Sequence, residues 1–241
     1  MRYLALATDY DETLATEGKV LAPTVRALKS FSETGRKLIL ITGREIQDLC
    51  AVFPEIEYFD LVIAENGAEL YWPRARVSRL IADEPSLRLV ERLKEKQVRP
   101  LSVGKSVIAT LEVNRLRVLE ALTDLKLERN LIANKGSLMI LPPKIDKESG
   151  LREALRELSL KASEVIGVGD GENDEAFLKI CGFSATVENA LPSLKSIAHY
   201  VLKKPRGRGV EDLIMEAIRS DDLFELAPPI FNSSSLDHNS V

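Results

Sequence analysis

The first half of the chain alternates short apolar runs with amphipathic stretches. Residues 3–8, 37–42 and 61–65 are rich in aliphatic side chains, and the second of them contains Leu38-Ile39-Leu40-Ile41. A strand half exposed to water would show a period of two, so runs without polar alternation suit a parallel sheet covered on both faces. Between them apolar positions recur at helical spacing, from Pro23 to a stop at Gly35 and again from Arg44. Proline is tolerated in the first helical turn, and glycine ends a helix readily. The rhythm resumes at 164–168 and continues through a helix from Asn173, an apolar run at 183–187, a helix around 191–197 and a last helix over 210–219. Strand and helix in this order predict βαβ units and an α/β fold with a Rossmann-like parallel sheet.

Residues 80–144 read differently. They hold a charged helix, an apolar run at 106–113, a second helix from Asn114 and two short runs split at Lys135-Gly136. This predicts a small α+β unit inserted into a core made of 1–79 and 145–220. The insert has twelve Lys/Arg against eight Asp/Glu, so it carries +4 in a chain whose net charge is −4. One reading is a basic lid over an acidic site; the other is that these charges sit on solvated helix faces. Residues 221–241, with Pro228-Pro229 and Ser233-Ser234-Ser235, predict a flexible tail or linker that buries little.

With 45% hydrophobic residues and 29% charged ones, the 241-residue chain has ample material for a core. Its negative balance argues against nucleic acid as a partner, since such modules carry a basic surplus. Cys50 and Cys181 stand alone in apolar contexts, which predicts buried free thiols rather than a metal or redox pair. No run approaches the ~20 apolar residues of a membrane span, and the first apolar run is too short for a secretory core. A cytoplasmic protein without a membrane partner is expected; the oligomeric state is not legible.

Candidate chemistry collects where the strands end. The first strand runs into Thr8-Asp9-Tyr10-Asp11-Glu12-Thr13, the second into Thr42-Gly43-Arg44, the third into Glu65-Asn66-Gly67-Ala68 and a later one into Gly169-Asp170-Gly171-Glu172-Asn173-Asp174. Ligands of open α/β sheets bind at this edge. Each cluster also has an ordinary reading: a polar turn at 9–11, a Thr N-cap at 42, an Asn-Gly hairpin turn at 66–67. A dinucleotide fingerprint would need Gly at 172 and an EF-hand loop would need Gly at 175, and both positions are Glu. Four carboxylates brought to neighbouring strand ends would repel by ~4 kcal/mol per close pair at an effective dielectric of 20. Hard oxygen donors of this kind suit Mg²⁺. Lys147, just before the helical 151–155 pattern, could add a fixed positive charge.

Taken together, Asp9-x-Asp11-x-Thr13, Thr42-Gly43-Arg44, Lys147 and Gly169-Asp170-x-x-Asn173-Asp174 occur in the order that resembles the haloacid dehalogenase superfamily of phosphatases. The insert between the third strand and Lys147, with Asn66-Gly67-Ala68, resembles its Cof-type (subfamily IIB) branch, although Glu12 stands where that branch usually has Gly. The resemblance implies a parallel-sheet core with an α+β cap at 80–144. It also implies Mg²⁺-dependent hydrolysis of a small phosphorylated metabolite, a sugar phosphate or a phosphoglycolate-like ester, through an aspartyl-phosphate at Asp9. In that scheme Asp11 is general acid and base. Asp9, Asp11, Asp170 and Asp174 form the metal site. Thr42, Gly43, Arg44, Asn66, Lys147 and Asn173 contact phosphate or substrate. A phosphoryl transferase or mutase sharing the intermediate, and a non-catalytic phosphometabolite sensor, are the alternatives; the pair of Asp9 and Asp11 disfavours the sensor.

Overall fold

The computed structural model describes residues 2–220, 222 and 223. Its elements, in order, are β1 (Ala5–Asp9), α1 (Ala22–Glu33), β2 (Lys37–Ile41), α2 (Ile46–Val52), β3 (Leu61–Ala64), β4 (Glu69–Trp72), β5 (Val77–Leu80) and α3 (Leu87–Glu95). They are followed by β6 (Ser102–Val103), β7 (Ile108–Leu111), α4 (Arg115–Leu125), β8 (Asn130–Asn134), β9 (Ser137–Leu141) and α5 (Lys147–Glu157). The chain closes with β10 (Val165–Gly169), α6 (Glu175–Ile180), β11 (Phe183–Thr186), α7 (Pro192–Lys195), β12 (Tyr200–Val201) and α8 (Arg206–Arg219).

The apolar runs form the centre of an eight-stranded sheet in the order β12-β11-β10-β1-β2-β3-β4-β5. From β12 to β3 every neighbouring pair is parallel, and β4 and β5 add an antiparallel edge. This is the α/β architecture that the pattern predicts. Every residue of β1 and β10 is buried, which is why neither run alternates. Register decides what the sheet presents: Asp9 pairs with Ile41 and Thr8 with Val168, so β1, β2 and β10 end together. Their following loops therefore meet at one edge.

A second sheet, β6-β7-β9-β8, is wholly antiparallel. Its core contains Leu89, Leu93, Val118 and Leu122 from α3 and α4 against Ile108, Leu138 and Ile140. Where it meets the first sheet, Ala68 packs with Val107, Met139 and Leu141. The two sheets thus share a small apolar seam.

Several elements depart from the sequence pattern. The last helix begins at Arg206 rather than at 210, because Gly207 lies where a Cβ would come within 2.8 Å of the Leu14 carbonyl oxygen. Gly207 and Gly209 lower helix propensity, so packing rather than local preference extends this end. The helix expected from Arg44 starts at Ile46 with Glu45 as N-cap, which removes the N-cap reading of Thr42. Helix α7 covers only four residues of the expected 191–197 stretch. Strands β5, β6 and β12 carried no clear signal, being short and largely exposed. Cys181 is buried as expected, whereas Cys50 is only partly so. Among the described residues no helix is long and apolar enough to cross a membrane. Apart from Asp222 and Leu223, the tail expected at 221–241 lies outside the described residues.

Candidate active site

Asp9 is the last residue of β1 and its side chain is almost wholly buried. The Lys147 ammonium donates to it at 2.5 Å and to Asp174 at 2.6 Å, from a side chain only 1% exposed. Lys147 opens α5, whose N-cap Asp146 and Ser149 form a reciprocal capping box. The start of that helix reaches the sheet edge because Gly67, at φ +110°, has no Cβ to strike the Asp146 carbonyl.

Asp170 and Asp174 come from the loop after β10. Asp174 accepts the N–H groups of Asp170 and Gly171 at 2.8 and 2.9 Å, so the loop folds back on its own carboxylate. Asp170 accepts from the Thr13 hydroxyl at 3.0 Å, and its other oxygen pairs with the Lys135 ammonium. Oxygen atoms of Asp9, Asp170 and Asp174 all lie within 4.8 Å of one another.

Burial pushes the Asp9 carboxyl well above its ordinary range, and the neighbouring Asp174 and Asp170 push it further against the pull of Lys147. Burial also raises Asp170, with Lys135 opposing. For Lys147, burial lowers the pKa, but the two carboxylates outweigh it and hold the ammonium protonated. This is a carboxylate cluster stable only with positive charge beside it. Its all-oxygen donor set fits a hard divalent cation held by Asp9, Asp170 and Asp174.

Asp11 stands apart from that cluster. The Arg44 guanidinium grips both its oxygens, Nε at 2.8 Å and Nη2 at 2.7 Å. The Thr42 hydroxyl accepts the Arg44 N–H at 3.1 Å, which turns the chain sharply after β2. Asn66, in left-handed backbone at φ 52°, accepts from Asn173 at 2.9 Å. A Cβ on Gly43 would come within 2.9 Å of the Asn66 amide, so the turns after β2, β3 and β10 touch through Gly43, Asn66 and Asn173. The expected site residues therefore form two adjoining groups: Asp9, Lys147, Asp170 and Asp174, and Asp11 with Arg44 beside Thr42.

Three contacts and the backbone setting of Glu12 were not legible in the sequence. Glu65 is buried, and its carboxylate accepts the backbone N–H groups of Lys105, Ser106 and Val107 at 2.8–2.9 Å. Backbone donors leave no residue-type signal, so nothing in the sequence could have found this contact. Lys105 also pairs with the buried Glu69 at 2.6 Å. Lys135 was visible as the residue that splits two short runs and as one of the cations of the insert, but its partner Asp170 was not. Glu12 takes φ 63°, the backbone region that Gly enters freely, and Arg206 and Asn189 hold it there through its carboxylate and its carbonyl. Beside the site, a cleft of about 150 Å³ is lined by Gly43, Arg44 and Glu65 on one side and Ser102, Gly104 and Val107 on the other.

The model of the haloacid dehalogenase-like hydrolase family matches residues 6–113 and 114–214. A phosphoglycolate phosphatase of Methanothermobacter thermautotrophicus is 29% identical over 217 residues, covering 87% of this chain and 96% of that protein. A phosphoglycolate phosphatase of Methanothrix thermoacetophila is 30% identical over 218 residues, covering 87% and 95%. Among solved structures, a haloacid dehalogenase-like hydrolase from Bacteroides thetaiotaomicron superposes with a TM-score of 0.74 at 18% identity, over 89% of this chain and 99% of that one.

Proposed function

The chain belongs to the haloacid dehalogenase-like hydrolase family, and from that membership we propose that it is a Mg²⁺-dependent phosphatase of small phosphorylated metabolites. The observation that carries the reading is Lys147 bridging Asp9 and Asp174 at 2.5 and 2.6 Å, beside Asp170, at the common end of β1 and β10. Phosphoglycolate is the first substrate to test, because it names the activity of curated relatives that align along most of their length.

Asp9 is the nucleophile: its carboxylate attacks phosphorus in line, the ester oxygen leaves, and water later cleaves the acyl phosphate. Lys147 opposes the burial that raises the Asp9 carboxyl and presents its ammonium to a phosphoryl oxygen. The Thr42 hydroxyl and the Gly43 N–H donate to further phosphate oxygens. Arg44 has the forked geometry that suits carboxylate and phosphate alike. An incoming phosphate competes with Asp11 for that fork, and Asp11, once released, is the group that protonates the leaving oxygen and later takes a proton from water. Asn66 and Asn173 brace the turns that carry these groups. A divalent cation on Asp9, Asp170, Asp174 and the Asp11 carbonyl would neutralise phosphate charge. Residues 80–144 act as a cap over the core of 1–79 and 145–220, with the cleft between them receiving the leaving group.

Release of inorganic phosphate from a panel of phosphorylated metabolites, with and without Mg²⁺, tests the proposal. Phosphoglycolate or a sugar phosphate should be cleaved only with the metal. Release no greater than that of Asp9→Asn protein across the panel would reject it.

A further inference from the structure

The β8–β9 hairpin turns through Lys135 at φ 47° and Gly136 at φ 85°, the paired left-handed residues of a tight two-residue loop. Such a turn gives its tip little freedom. The tip lands on the loop after β10. Lys135 N–H donates to Glu172 at 3.3 Å, its ammonium pairs with Asp170, and a Cβ on Gly171 would come within 2.5 Å of the Asn134 amide oxygen. That oxygen is buried without a hydrogen-bond partner. The four-stranded sheet thus sends one cation into the carboxylate cluster itself.

Three other cations of this sheet and its helices are paired elsewhere. Arg115 pairs with Glu112 on the adjoining turn, Lys105 with buried Glu69, and Arg92 with Glu95 and Asp124. Lys135 differs because its partner is a carboxylate that a divalent cation would also use. Two cations on one carboxylate repel, and the more mobile of them moves. The Lys135 side chain is 37% exposed on a flexible four-carbon stem, whereas the hairpin tip beneath it is fixed. Its released charge stays at the mouth of the site, where the Glu172 carboxylate already accepts the Lys135 N–H.

Building on the proposed phosphatase reading, we propose that Lys135 is a specificity-determining residue. Cation binding at Asp9, Asp170 and Asp174 frees its ammonium from Asp170, and the ammonium then pairs with a second anionic group on the substrate's leaving portion. The favoured class is a phosphate ester carrying a carboxylate a few bonds from phosphorus. A neutral polyol ester offers the ammonium no partner.

The test uses full-length wild type, Lys135→Met and Lys135→Arg. Calorimetric titration of Mg²⁺ without substrate should show several-fold tighter binding in Lys135→Met, since the competing ammonium is gone, and near wild-type binding in Lys135→Arg. The ratio of kcat/KM for phosphoglycolate to that for 2-hydroxyethyl phosphate, its neutral counterpart of equal length, should fall roughly 10-fold or more in Lys135→Met. Lys135→Arg should restore most of that ratio. Unchanged Mg²⁺ affinity in Lys135→Met would overturn the exchange. Tighter Mg²⁺ binding with an unchanged ratio would mean that the freed ammonium goes to Glu172, overturning the specificity role. Wild-type protein that binds Mg²⁺ but releases no phosphate from any ester would instead reject the phosphatase reading, and the substrate half of this proposal with it.

Discussion

The two sheets carry charge in opposite ways. At the edge of the eight-stranded sheet, Lys147 is 1% exposed and joins Asp9, 138 positions away in sequence, to Asp174. On α3 and α4, Arg92 pairs with Asp124 across two neighbouring helices with both side chains 35% exposed, and Arg115 pairs with Glu112 three residues back. Buried charges in the first set are held by the fold at some cost in desolvation, which is repaid only if their geometry is used. Exposed pairs in the second set are screened by water and contribute little. Charge density therefore says little about function; the depth and sequence separation of each pair say more. The +4 balance of 80–144 divides accordingly, with five of its twelve cations on α3 and α4 and with Lys105 and Lys135 turned toward the other sheet.

This contrast can be broken most sharply at Asp9. Replacing it with Asn keeps its shape but removes the nucleophile, so activity should fall below about 1% of wild type while far-UV circular dichroism stays unchanged. Retained turnover would mean that the buried cluster is structural.

Lys147→Met should come next, because it leaves Asp9 and Asp174 buried without their shared cation. A loss of about 3–5 kcal/mol in urea unfolding is expected without metal, together with loss of activity. A change under 1 kcal/mol would show that the cluster relaxes into solvent or takes up protons at little cost.

Mg²⁺ should partly replace that charge. At 100-fold its dissociation constant it should stabilise the wild type by about 2.7 kcal/mol, and Asp170→Ala should erase most of the gain. The pH dependence has a definite sign. Asp9 and Asp170 have raised pKa values in the folded protein, so in chelator their contribution is full below the ordinary carboxylate range and is lost as pH rises through the raised values. The difference in melting temperature between Mg²⁺ and chelator should therefore widen as pH rises. A constant difference would contradict the assignment of these carboxylates to the metal.

The smallest effect belongs to the exposed set. Arg115→Ala should change stability by no more than about 0.5 kcal/mol and leave substrate ratios unaltered. A substantial shift in those ratios would give α4 a part in recognition that its contacts do not indicate.

What was legible in the sequence follows the same division. Asp9, Thr42, Asn66 and Asp170 could be found because each sits where an apolar run stops, and the parallel register then aligns those ends. The grip of Arg44 on Asp11 could not be read, since a strand-end arginine serves phosphate and carboxylate equally well. Lys135 meets Asp170 only after two sheets have folded and packed. The early start of α8 was hidden because Gly207 and Gly209 weaken the local helical preference that packing against Thr24 and Leu14 overrides.

The contact made by Glu65 bears on how such a molecule can change over generations. Its carboxylate holds residues 105–107 through their backbone N–H groups, which every amino acid except proline supplies. The joint is thus largely blind to the side chains it fastens. Substitutions other than proline keep these three bonds, although Lys105 and Val107 also hold Glu69 and the apolar seam through their side chains, and at Gly104 a Cβ would meet the Glu65 carboxylate at 2.8 Å. A lineage with this joint can revise the surface that faces its cleft while the attachment is inherited intact.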